Sequence, residues 1–168
     1  MHRGKNNEKN TNMNRSLLSS QRMDWGTPVN VVRRIEAGLG IQFTLDPCAT
    51  AESAKAPRHY TVTDDGLTKN WDEEVVFMNP PYGRAIGIWM KKARGTKGIV
   101  ACLVPARTDT VWWHESAMRA DLIYLIRGRI RFVGAADPAP FPSAVVVFSP
   151  AHRGFAQPDF RVMNIKRQ

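Results

Sequence analysis

Apolar residues along this chain follow two alternating periods from about residue 27 onward. Thr27-Pro28 places an N-cap ahead of a proline at the first helical position, and Val29, Val32 and Ile35 continue at helical spacing until Gly38 or Gly40 ends the run. Ile41-Gln42-Phe43-Thr44-Leu45 then alternates apolar and polar, a strand pattern that closes on Asp46-Pro47. Ala49 to Ala56 predicts a short helix stopped by Pro57, and His59 to Thr63 a short strand before the turn at Asp64-Asp65-Gly66. Two continuous apolar runs, Val75 to Met78 and Ile99 to Val104, suit strands buried on both faces. Ile86 to Arg94 and Val111 to Arg119 read as helices, and Leu122 to Ile126 as a further strand. This alternation predicts an α/β fold, a mostly parallel sheet with helices on both faces. Near the end the period changes, and Ile130, Phe132 and Ala144 to Phe148 predict closing antiparallel strands.

The 168 residues, 43% of them hydrophobic, suffice for one ordinary domain. Residues 1–22 are rich in Asn, Ser, Lys and Arg without sustained periodicity and are expected to form a flexible basic arm. Residues 23–150 then form the domain, and residues 151–168 a basic C-terminal tail. No stretch approaches the roughly 18 consecutive apolar residues of a membrane span, so a cytoplasmic protein without a membrane partner is expected. Cys48 and Cys102 are too few for a disulfide framework, and no Cys/His cluster has zinc-ligand spacing, so no metal is expected. Nothing in the pattern sets an oligomeric state.

Charge sharpens this picture through its location. Of the net +9, most lies at the ends: residues 1–22 hold five Lys/Arg against one Glu, and residues 151–168 four against one Asp. Within the domain Lys91, Lys92, Arg94 and Lys97 cluster, while Arg127, Arg129 and Arg131 alternate along a predicted strand, on one face. A polyanion is the natural partner, because neutralised phosphates release counterions. Solubility explains the tails equally well.

In a covered parallel sheet, ligands sit beyond the carboxyl ends of the strands. There the chain carries Asp46-Pro47-Cys48-Ala49, Asn79-Pro80-Pro81-Tyr82 and Pro105-Ala106-Arg107-Thr108-Asp109. The second is the most informative. Consecutive prolines stiffen the loop, supply no backbone donors and leave carbonyl oxygens to accept. The Asn79 side-chain oxygen and the Pro80 carbonyl can together grip an NH₂ group, orient its nitrogen lone pair and stabilise developing positive charge. Tyr82 offers a flat face for a nucleobase, a contact worth roughly 1–3 kcal/mol. The plain alternative is a Pro-Pro turn anchored by Tyr82.

The sequence resembles the amino-methyltransferases whose signature is (D/N/S)-P-P-(Y/F), and more closely the small phage-type DNA adenine methyltransferase (Dam-like) family. The resemblance runs from about Asp24 to Phe148. It is carried by Asp24-Trp25-Gly26-Thr27-Pro28, Leu45-Asp46-Pro47-Cys48-Ala49, Asp65-Gly66-Leu67 before Trp71, Asn79-Pro80-Pro81-Tyr82-Gly83, Leu103-Val104-Pro105-Ala106, Thr110-Val111-Trp112-Trp113 and Gly128-Arg129-Ile130-Arg131-Phe132. It implies a Rossmann-like methyltransferase fold, S-adenosylmethionine as methyl donor, adenine in double-stranded DNA as acceptor, and a phage or prophage origin. Only 32 residues separate Asp46 from Asn79, too few for two complete strand-helix units, so the sheet is expected to be abbreviated on that flank.

Residue by residue, the resemblance makes Asn79, Pro80, Pro81 and Tyr82 catalytic, with Asn79 also facing the cofactor. Trp25, Thr27 and Pro28 form the amino-terminal cofactor element, where a helix start would meet a carboxylate. Asp46 is the acid after the first strand, and Cys48-Ala49-Thr50 stand where the family's turn usually carries glycines. Asp64 or Asp65 would bind the cofactor's ribose or adenine amino group; which of them is open. DNA contacts fall to Tyr82, Arg84, Lys91, Lys92, Arg107, Arg129 and Arg131, with Arg107, Thr108 and Asp109 near the base. Trp112 and Trp113 read as packing residues, and His114 has no evident role. Direct transfer to a flipped adenine needs no covalent intermediate, so neither cysteine is expected as a nucleophile. The same grip suits cytosine, an RNA base or a glutamine amide, and a non-catalytic DNA-binding protein on this scaffold is the rival of another class.

Overall fold

The computed structural model describes residues 26–150 and 157–165. Trp25, the arm at 1–22, and residues 151–156 and 166–168 lie outside the described residues. In chain order the elements are α1 (Val29–Leu39), β1 (Leu45–Asp46), β2 (Arg58–His59), β3 (Val75–Met78), α2 (Ile86–Gly95), β4 (Ile99–Pro105), α3 (Val111–Glu115), β5 (Leu122–Arg127), β6 (Ser143–Phe148) and β7 (Asp159–Asn164), with 3-10 turns at Gly66–Thr68 and Ala117–Arg119. The strands form one sheet in the order β2-β1-β3-β4-β6-β5-β7. All neighbours are parallel except at β6, which runs antiparallel to both β4 and β5. The fold is therefore a mostly parallel, Rossmann-like α/β sheet, and β1 and β2, two residues each, are its abbreviated flank.

Burial explains the central strands. Val76 to Met78, Val100 to Val104 and Ala144 to Phe148 are buried on both faces of the sheet, the environment that continuous apolar runs satisfy. In α1, Val31, Val32 and Ile35 face the core, and Gly40 ends the helix in the left-handed region at φ 67°, its N–H donating to the Glu36 carbonyl. Tyr124 Oη donates to the Gly38 carbonyl at 3.1 Å, tying this helix to β5.

Several predicted elements differ. Ala49 to Ala56 is a turn rather than a helix. Its ends are pinned by Tyr60 N–H to the Asp46 carbonyl and Ala49 N–H to the Tyr60 carbonyl, while Thr50 and Ser53 bond to each other's backbone. Such side chains compete with helical hydrogen bonds, and a crossover this short cannot hold a helix. The helix at Val111 to Arg119 breaks at Ser116, and the Arg94 guanidinium donates to the Glu115 carbonyl at the break (2.6 Å). Arg127 ends β5, and Arg129 and Arg131 follow on irregular chain. Ile130 and Phe132, each 1% exposed, are core plugs from that segment, so β6 closes the sheet against β4 and β5 without them. Residues 159–164, expected within a basic tail, form β7, paired in parallel with β5 over six positions.

The abbreviated flank is held by tight backbone approach. Gly66 packs on the Asp46-Pro47 turn so closely that a Cβ there would stand 2.0 Å from the Pro47 carbonyl oxygen, and its own carbonyl accepts from Trp71 Nε1 at 3.0 Å. Gly66→Ala is therefore expected to cost at least about 2 kcal/mol. Gly95→Ala, whose Cβ would meet nothing within 4 Å at the end of α2, should be neutral or stabilising by a few tenths of a kcal/mol. Urea unfolding of both variants checks the contrast, and equal effects would contradict it.

Candidate active site

Asn79 follows β3 directly, where the strand's carboxyl end meets two other segments. Its Nδ2 donates to Thr27 Oγ1 at 2.9 Å, and its backbone N–H donates to Cys48 Sγ. An amide is planar with donor and acceptor on opposite corners, so this bond makes Oδ1, a buried atom, the end that points away from Thr27. Thr27 is itself 2% exposed. It does not cap α1 as its position suggests: Pro28 occupies the N-cap position at φ −64°, ψ 140°, and no side chain caps that end. The hydroxyl is occupied by Asn79, 52 residues away.

Asp46 is 4% exposed at the end of β1. Its Oδ2 accepts from the Lys55 N–H at 3.1 Å and its Oδ1 from the Cys48 N–H at 3.4 Å, shaping the turn that follows. Burial is the largest influence on this carboxyl and pushes its pKa up to about 6, against the lowering by those two N–H groups and by Lys55 and His59. Burial likewise pushes the Cys48 and Cys102 thiols well above their usual range. Asp64 lies on an exposed turn and accepts from the Thr61 N–H and hydroxyl at 2.8 and 2.7 Å, which hold its carboxyl below the usual range. Asp65 is exposed in the left-handed region at φ 51°. The approach of Gly66 to Pro47 sets this turn beside that of Asp46.

Beyond Asn79 the loop changes character. Tyr82 is 8% exposed; its hydroxyl donates to the Leu103 carbonyl at 3.3 Å, and its ring meets Phe132 and Phe141 edge-on at 6.3 and 5.6 Å. A buried tyrosine takes a partner for its hydroxyl, and here that locks the ring inward. The open stacking face expected of Tyr82 is thus enclosed in this state. The ring edge nonetheless joins Gly83 and Arg84 in the wall of an open cleft of about 1210 Å³ between α2, α3 and the Pro140-Phe141 segment.

That cleft is cationic. Arg84, Lys91, Arg94, Arg107 and Arg119 line it against one acid, Glu115. Arg84, Lys91 and Arg107 are among the DNA contacts expected from the sequence; Arg119 joins them in the lining although it was not singled out there. Lys92 is elsewhere, its Nζ donating to the Lys69 carbonyl at 2.6 Å and standing 5.2 Å over the Trp71 ring. Arg129 and Arg131 are exposed but outside the cleft lining, as are Thr108 and Asp109. Trp113 is buried, whereas Trp112 is half-buried and reaches the cleft beside exposed Ile88 and Val111. Among the described residues no group of three His, Cys, Asp or Glu side chains is placed to hold a metal ion, and no helix is long and apolar enough to cross a membrane.

Residues 14–149 match the sequence model of the family described as DNA N-6-adenine-methyltransferase (Dam). The chain belongs to the Dam family. It is also 26% identical, over 135 residues covering 75% of this chain and 78% of the relative, to a DNA N-6-adenine-methyltransferase of Haemophilus phage HP1 (strain HP1c1).

The methyl donor implied by Dam membership, S-adenosylmethionine, bears a carboxylate and cationic ammonium and sulfonium groups. The residues fit it. α1 offers an N-terminus with no side-chain cap and no acid in its first turn, suited to a carboxylate. Asp46 offers a buried carboxylate raised chiefly by desolvation, suited to a cation. Because folded Asp46 keeps its proton to about pH 6 while the unfolded chain releases it near 3.8, its contribution to stability is full below pH 4 and lost as pH rises through 6. Asp46→Asn removes this titration. Its stability relative to the parent is expected to improve by roughly 2 kcal/mol from pH 4 to pH 7.5, read by denaturant unfolding at both values. A difference independent of pH would contradict the burial argument.

Proposed function

We propose that the protein transfers a methyl group from S-adenosylmethionine to the exocyclic amino nitrogen of adenine in double-stranded DNA. The observation that carries this is the continuity of one loop: Asn79-Pro80-Pro81-Tyr82 begins at an amide held by Thr27 with its Oδ1 buried and ends in the wall of a cleft lined by five cations. An acceptor for an NH₂ group and a surface for a phosphate backbone thus lie at two ends of four rigid residues. Family membership and the name of the phage relative agree with this reading.

S-adenosylmethionine, when bound, supplies the electrophilic methyl group. Asp46 and the backbone N–H groups at the uncapped start of α1 would hold it, beside the Asp64-Asp65 turn. Asn79 Oδ1 and the Pro80 carbonyl accept hydrogen bonds from the two N–H groups of the adenine amino nitrogen, which turns its lone pair out of conjugation and offsets the positive charge it gains; as the N–CH₃ bond forms the S–CH₃ bond breaks, and the nitrogen then releases one proton to solvent. Pro80 and Pro81 hold these acceptors in place without competing donors. The amino group is paired inside a duplex, so the base is extruded to reach them. Tyr82 supports the loop through Leu103, Phe132 and Phe141. Arg84, Lys91, Arg94, Arg107 and Arg119 neutralise phosphates.

Incubation with methyl-labelled S-adenosylmethionine and unmethylated duplex DNA, followed by digestion, tests the whole reading. Label is expected in N6-methyladenine; label in methylcytosine would overturn the base, and no label despite cofactor binding would overturn the reaction. Asn79→Ala should lower kcat by roughly 10²–10³-fold with folding and cofactor binding intact. Arg119→Gln should lower the slope of log Kd against log salt for duplex DNA by about 1, measured by fluorescence anisotropy, while Lys92→Gln leaves it unchanged. Equal slopes for both variants would remove the cleft from the DNA path.

A further inference from the structure

An asparagine amide has a donor end and an acceptor end of nearly the same shape, so rotation by half a turn exchanges them at little steric cost. For a substrate that presents an amino group the exchange is not neutral. With Oδ1 forward, Asn79 accepts; with Nδ2 forward, one donor meets another. Something other than shape has to select the productive orientation. At Asn79 the 2.9 Å bond from Nδ2 to Thr27 Oγ1 separates the two ends. Thr27 can serve in this way because of where the chain puts it. It directly precedes Pro28 at the start of α1, is 2% exposed and is not spent on capping that helix.

We propose that Thr27 is a positioning residue for methyl transfer: its hydroxyl accepts from Asn79 Nδ2 and so presents Oδ1 to the amino group of the substrate base. This rests on the reading of Asn79 as the acceptor for that amino group. The arrangement is a short relay of donors and acceptors. The substrate nitrogen donates to Oδ1, and Nδ2 donates onward to Thr27 Oγ1. Each bond polarises the other, so the relay tightens as the amino nitrogen gains positive charge. A residue in this role acts on the rate of transfer rather than on retention of DNA, which the cationic cleft supplies. A residue whose hydroxyl held the cofactor would instead weaken binding of S-adenosylmethionine when that hydroxyl is lost. Removing the hydroxyl while keeping the shape takes the Thr27 acceptor away from Nδ2 and weakens the preference for Oδ1 forward.

The test compares Thr27→Val, close to isosteric but without the hydroxyl, with Thr27→Ser, which keeps it. Thr27→Val is expected to lower kcat by roughly ten- to a hundredfold with KM for DNA and Kd for S-adenosylmethionine within about twofold of the parent; Thr27→Ser should recover most of the loss. The side-chain amide protons of Asn79, assigned by their disappearance in Asn79→Asp, give a second readout independent of activity. One of them should sit downfield in the parent and in Thr27→Ser and move upfield in Thr27→Val. Unchanged amide shifts in Thr27→Val, unchanged kcat, or equal losses in the Val and Ser variants would overturn the proposal. A loss that appears chiefly as weaker binding of S-adenosylmethionine would do so as well. If the parent protein methylates no adenine, the functional reading itself fails, while the amide shifts still report whether Thr27 holds Asn79.

Discussion

The parallel pairing of β1, β3 and β4 is the constraint on which the candidate site depends. Parallel strands deliver their carboxyl ends to the same edge of a sheet, so the loops after Asp46, Met78 and Pro105 emerge side by side although 59 residues separate the first from the last. The reversed strand β6 completes the edge. Running the other way, it begins where β4 ends, with Ser143 opposite Pro105 and the Ala106 N–H bonded to the Pro142 carbonyl at 2.9 Å. This brings Pro140 and Phe141 to the same edge, where Phe141 closes on Tyr82. A parallel strand in that place would have begun at the far edge and left the cleft without this wall.

A sheet edge organised in this way has to place polar groups where apolar ones would be more stable. Thr27, Asp46 and Ser143 are three of the buried polar residues among those described, and all lie at this edge. Ser143 Oγ is buried with no hydrogen-bond partner among the described residues, and Asp46 holds a carboxyl in a place that favours its neutral form. Such groups cost stability unless satisfied. At the other end of the sheet Thr96, between α2 and β4, is buried as well, but its hydroxyl donates to the Lys92 carbonyl at 3.0 Å.

What could be read in the sequence follows from how local each determinant is. Val75 to Met78 and Ile99 to Val104 were legible because burial on both faces leaves no choice of residue type. Asn79-Pro80-Pro81-Tyr82 was legible because two prolines impose their geometry without help from elsewhere. The orientation of Tyr82 was not, since its enclosure depends on Phe132 and Phe141, 50 and 59 residues onward. Thr27 before Pro28 reads as a helix cap by any local rule; its use by Asn79 is a contact across 52 residues. Lys92 and Lys91 carry the same charge at adjacent positions, and only the helical turn between them sends one to Trp71 and the other to the cleft. For β7 a signal was present: Phe160, Val162 and the buried Met163 make a short strand within a stretch whose Arg161 and Asp159 obscured it by suggesting a charged tail.

The turn after Asp46 departs from the family pattern, in which glycines let backbone approach the cofactor: here the chain has Cys48-Ala49-Thr50. The small residue at this turn comes from elsewhere in the fold, as Gly66 lies against the Pro47 carbonyl where no side chain could fit. Position 48 itself carries a side chain, and Cys48 Sγ takes up the backbone N–H of Asn79. A glycine at position 48 would leave that N–H to find another acceptor at the base of the loop that holds the candidate chemistry. The departure from the expected pattern therefore contributes a second anchor for Asn79, at its backbone, beside the one that Thr27 supplies at its side chain.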